Sequence, residues 1–144
     1  MKSNNFHENK FMMIDHLHRV VKLILEIQIE FYPVTICLDL NNKIKLTDDI
    51  KTDDYPSNQE MIIRYEKKLN GQLKNKKILG YCIAYDAITA KDISGKKTDT
   101  IVFMTKYDPE KEAEITYYSY ILNKYGKFEI TDIWEEKRNL LVAS

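Results

Sequence analysis

The sequence predicts an α+β domain: one antiparallel sheet of five to six strands with two helices packed on one face. Two stretches repeat apolar residues at helical spacing, while the second half alternates apolar and polar positions as strands do. Turn residues break that second half at regular intervals. With 144 residues, 44% of them hydrophobic and 31% charged, the chain suits one domain spanning residues 1–144. Residues 1–10 and 135–144 are expected to be loose termini. The expected order is α-β-β-α-β-β-β, with room for a fourth strand at the end.

The first helix runs from about Phe11 to Phe31. Met13, Leu17, Val20, Val21, Ile24, Ile27 and Phe31 mark one face, and Arg19, Lys22, Glu26 and Glu30 mostly take the other. Asp15 lies in its first part, where a helix favours negative charge. Pro33 ends it, because proline donates no amide and disfavours a helical residue before it. Val34 to Leu40 and Lys43 to Leu46 then read as a hairpin about Asn41-Asn42, since asparagine tolerates positive φ. Thr47 to Asp54 is a polar loop.

Ser57 with Glu60 three residues later is a capping box, and it opens a second helix carrying Met61, Ile62, Tyr65, Leu69 and Leu73. Gly71 or the Asn75 region ends it. Ile78 to Ile88, Thr100 to Thr105, Ile115 to Leu122 and Phe128 to Ile133 read as strands. Ser94-Gly95, Asp108-Pro109 and Tyr125-Gly126 mark the turns between them. Trp134 to Ser144 reads as a short helix or a tail. A single sheet burying the apolar side of each element satisfies these runs.

This order is similar to the profilin-like and roadblock-like arrangement, a likeness of topology that carries no function. Tyr85-Asp86-Ala87, Lys97-Thr98-Asp99-Thr100-Ile101 and Phe31-Tyr32-Pro33 resemble a group of small bacterial α+β proteins with no established activity. Ser119-Tyr120 stands where that group tends to have proline-tyrosine. The resemblance covers most of the chain, implies a single domain, and carries over no catalytic residue.

Lys plus Arg and Asp plus Glu are each 22, so no net field draws the chain to nucleic acid or an anionic membrane. The basic flank Arg64, Lys67, Lys68, Lys74, Lys76 and Lys77 reads as a solvated helix face. Lys22, Glu26 and Glu30 interrupt the most apolar stretch, so no membrane span is expected. The N-terminal residues lack the apolar run of a signal peptide. Cys37 and Cys82 sit in apolar runs and read as reduced core thiols, which points to a cytoplasmic protein.

No catalytic residue, metal ligand set or cofactor is expected. His16 and His18 lie about 200° apart around a helix and cannot share a face. Asp15 and His18 could meet, but zinc would need further ligands. Asp48, Asp49, Asp53 and Asp54 have clustered oxygens but not the spacing of a calcium loop, and read as solvated. No glycine-rich phosphate cradle or nucleophile elbow occurs. Asp86 and Asp99 fall in strand positions where aspartate is disfavoured, so as neighbours they could bind a ligand.

Seven of the ten tyrosines fall between Tyr81 and Tyr125. Alternation puts Tyr81 with Tyr85 on one face, and Tyr118 with Tyr120 on one face opposite Tyr117. Tyrosine over an uncovered sheet face is an amphipathic surface of the kind enriched at interfaces. The expected function is therefore a non-catalytic cytoplasmic protein-binding or homodimerising domain, immunity-like or adaptor-like. Its partner is another protein or itself, and Tyr81, Tyr85, Tyr118, Tyr120 and Trp134 are the contact residues. The competing expectation is a small-molecule-binding or hydrolytic domain with Asp86 and Asp99 beside a tyrosine-lined pocket.

Overall fold

The computed structural model describes residues 6–27, 31–47, 56–90 and 97–138. They form helix α1 (Phe6–Ile27), strands β1 (Val34–Leu38) and β2 (Ile44–Leu46), and helix α2 (Asn58–Lys74). Strands β3 (Gly80–Ala90), β4 (Lys97–Lys106), β5 (Ala113–Leu122) and β6 (Phe128–Arg138) follow. All six strands join one antiparallel sheet in the order β2-β1-β3-β4-β5-β6. The α+β class and the element order are those expected.

The placement of the helices corrects the expectation. They do not share a face. Met13, Ile14, Leu17, Val21 and Leu25 of α1 pack on Ile36, Cys82, Ala84, Ile101 and Phe103. Met61, Ile62, Tyr65, Leu69 and Leu73 of α2 pack on Tyr81, Ile83, Val102 and Met104 from the other side. The reason is visible in β3 and β4, where Tyr81-Cys82-Ile83-Ala84 and Ile101-Val102-Phe103-Met104 are apolar at every position and buried throughout. Strands apolar on both faces need cover on both.

Two stretches within the expected loose termini, residues 6–10 and 135–138, lie inside elements. Residues 6–10 belong to α1, and Lys10, on the same stripe as Met13, Ile14 and Leu17, is buried. Trp134 to Arg138 extend β6 as strand, neither helix nor tail, because they pair with Ala113 to Tyr117. A bulge interrupts that pairing: Ser119 faces Asp132 and Tyr120 faces Ile130, which leaves Thr131 extra.

The local signals translate directly. Asn42 takes φ 63°, and the Asp39 carboxylate accepts from the amides of Asn41 and Lys43, at 2.8 and 2.9 Å, to fix the β1–β2 turn. Ser57 Oγ accepts from Glu60 N at 3.2 Å, while the Glu60 carboxylate accepts from Arg64 Nε. Helix α2 ends at Asn75, so Gly71 lies inside it. Gly126 closes the β5–β6 turn at φ 75°, a conformation that suits glycine. The Asp48, Asp49, Asp53 and Asp54 loop and the Ser94-Gly95 turn lie outside the described residues.

Candidate functional site

The five aromatic residues expected to form one surface are divided by the sheet. Tyr81 is fully buried beneath α2. Tyr85 and Trp134 lie on that same face, partly buried against the α2 cluster. Tyr118 and Tyr120 lie on the α1 face, where Tyr120 is buried. With a helix on each face, no wholly uncovered tyrosine face exists among the described residues.

What remains on the α2 side is smaller and better defined. Helix α2 packs mainly on β3, and the β5–β6 half of that face carries its own aromatic pair. Trp134 stacks on Tyr117 with ring centroids 5.0 Å apart and planes 10° from parallel. Cross-strand pairing sets them opposite each other. The Tyr117 hydroxyl donates to Glu136 Oε1 at the strand edge. Tyr85, across β4 from Tyr117, faces Val102, as Tyr117 does from the other side. Tyr85, Val102, Tyr117 and Trp134 thus line up across four strands, with the partly exposed aromatics Tyr85 and Trp134 at the two ends. Tyr117 was missing from the expected set because its pairing with Trp134 depends on a register that the bulge shifts.

The α1 face brings the other expected group together. Asp86 stands opposite Ile101 and Asp99 opposite Ile88, so alternation makes the two carboxylates diagonal neighbours on one face. The Tyr120 hydroxyl donates to Asp86 Oδ1 at 3.2 Å, and its ring stacks on Phe128 at 5.0 Å. Burial, then the charges of Asp86 and Asp99, raises the Tyr120 pKa. Such a phenol stays protonated near neutral pH and acts as a donor, not as a base. Two cavities of about 450 and 330 Å³ are lined by other residues.

A third polar group was not foreseen. Lys10, 2% exposed as a residue, donates through Nζ to Glu114 Oε1 at 2.6 Å and to Glu135 Oε1 at 2.8 Å. Tyr107 donates to the other Glu114 oxygen, and Thr116 donates to Glu135. Burial pulls the Lys10 pKa down, but the two glutamates outweigh it and the net shift is upward. Burial, assisted by Glu114, pushes the Tyr107 phenol up to about 12. This cluster ties the start of α1 to β5 and β6. Its signal was the position of Lys10 on the apolar stripe.

Cys37 and Cys82 form no disulfide and are buried, and burial raises the Cys82 thiol to about 12, far from a reactive thiolate. Arg19 pairs with Asp15, while His18 packs edge-on to Tyr118 instead of pairing with Asp15. No group of three or more metal-ligating side chains occurs among the described residues, and no helix there is long and apolar enough to cross a membrane. Comparison of the chain with models of protein families, with curated proteins and with solved structures finds no match.

Proposed function

We propose that the chain is a non-catalytic, cytoplasmic protein-binding domain whose contact surface is the Tyr85–Tyr117–Trp134 row, used toward a second copy or another protein. The observation that carries this reading is the parallel stacking of Trp134 on Tyr117, which leaves Trp134 partly exposed at the margin of the α2 core. Rigid, partly exposed aromatic side chains supply large contact area at little cost in ordering, which is why tyrosine and tryptophan dominate interface hot spots. Asp132 and Glu136 flank the row and give it an acidic rim, suited to a partner patch carrying lysine or arginine.

The test is sedimentation velocity over a wide concentration range, with Tyr85→Ser and Trp134→Ser made singly and together. The wild type is expected to associate with itself or with a co-purifying protein. The double variant should lose that association, by roughly a hundredfold in affinity if two hot-spot residues are removed, while its far-ultraviolet circular dichroism stays unchanged. A wild type monomeric throughout and without a partner, or a folded double variant that associates normally, overturns the reading.

A further inference from the structure

We propose that the groove between the C-terminal turns of α1 and the β1–β2 edge binds a small, uncharged, largely apolar molecule with one hydroxyl or carbonyl group. The groove exists because β2 is only three residues long and pairs with Ile36 to Leu38, so it stops short of the start of β1. A cavity of about 450 Å³ fills that corner. It reaches from the α1 layer, at Ile24, Ile27 and Phe31, round the sheet edge to Thr35, Thr47 and Tyr65 on the α2 side.

The lining sets the ligand chemistry. All of the described residues that line the groove are uncharged, a lining that suits an uncharged ligand. Among the described lining residues, the apolar end comes from isoleucines and Phe31, and the polar end carries the Thr35 and Thr47 hydroxyls. Thr35 Oγ1 and Thr47 Oγ1 bond each other there, and Thr47 Oγ1 also reaches the Thr35 carbonyl at 3.4 Å. Hydroxyls can turn to meet either a donor or an acceptor. The mouth is unusually apolar: Ile27 is 85% exposed, Leu46 72% and Tyr32 60%. Such a cluster around a concave site, in a chain with 31% charged residues, is a feature of ligand sites more than of ordinary surface.

This site lies apart from the aromatic row, and its test is independent of the association test. The uncharged fluorophore N-phenyl-1-naphthylamine is titrated into the full chain and then displaced with 1-decanol or with decyltrimethylammonium. Saturable binding of one probe per chain is expected, and 1-decanol should displace it at least about tenfold more effectively than the cation. Ile24→Trp, which fills the groove, and Leu46→Asp, which charges its mouth at an exposed position, should each weaken probe binding about tenfold or more. Circular dichroism identifies a variant that has failed to fold, and the exposed Leu46 site keeps one variant informative. No saturable binding, or binding indifferent to Leu46→Asp, overturns the proposal. So does a wild-type dimer that Leu46→Asp dissociates, because the groove would then belong to a second copy.

Discussion

His18 illustrates what one residue contributes to this fold. Its Nε2 is buried without a hydrogen-bond partner, and its ring lies 5.3 Å from Tyr118 and 5.6 Å from Phe128. Burial lowers its pKa, with Lys22 and Arg19 adding to the effect and Asp15 opposing it. The unfolded chain therefore takes up this proton near pH 6.5, before the folded chain does. The neutral imidazole favours folding fully above about pH 6.5, and that contribution declines as pH falls below it. Urea midpoints at pH 7.5 and 5.5 should drop more for the wild type than for His18→Leu. Equal drops would show that His18 does not carry the effect. The histidine itself was legible as a helical residue. Its neighbours were not, because Tyr118 and Phe128 reach it only through tertiary packing.

Among the elements, α2 was the most legible, since its start is written in contacts three residues apart. Ser57→Ala removes the oxygen that accepts from Glu60 N and should cost about 1 kcal/mol. Urea denaturation checks this, and a change within error would mean that water replaces the bond fully. The long β6 was the least legible. Trp134-Glu135-Glu136-Lys137-Arg138 has no apolar alternation, and it is a strand because β5 offers Ala113 to Tyr117 as partners. Helix α1 buries Met13, Leu17 and Val21 of its expected stripe, but Ile27 is exposed and Phe31 lies outside the helix. It also begins earlier than expected, since Lys10 reads as polar punctuation until Glu114 and Glu135 are placed beside it.

For the whole molecule, the sheet separates two cores. Ile14 belongs to the α1 core and Ile62 to the α2 core, with the sheet between them. Ile14→Val and Ile62→Val should each destabilise by about 0.5–1.5 kcal/mol, and the double variant should equal their sum within about 0.5 kcal/mol. A larger coupling energy from denaturation curves would mean that the sheet transmits strain and the cores act as one. Most of the architecture was readable from periodicity and turns. The distribution of helices between faces was not, and that error carried through to the candidate site. Reading Tyr81-Cys82-Ile83-Ala84 as a strand covered on both sides would have removed Tyr81 from the contact set. It would also have left Tyr85 and Trp134 at the margin.

The bulge at Thr131 has a consequence for how copies of the chain can meet. The outer side of β6 carries the kink of an extra residue, and Glu129, Asp132, Glu135 and Glu136 crowd its length. Both features discourage another strand from adding to the ladder. The opposite edge, β2, is three residues long and offers little template. Sheet growth from molecule to molecule is thereby checked at both ends. Any self-assembly must then be built from side chains, and a self-complementary patch on a two-fold axis closes at a dimer instead of propagating into a fibre.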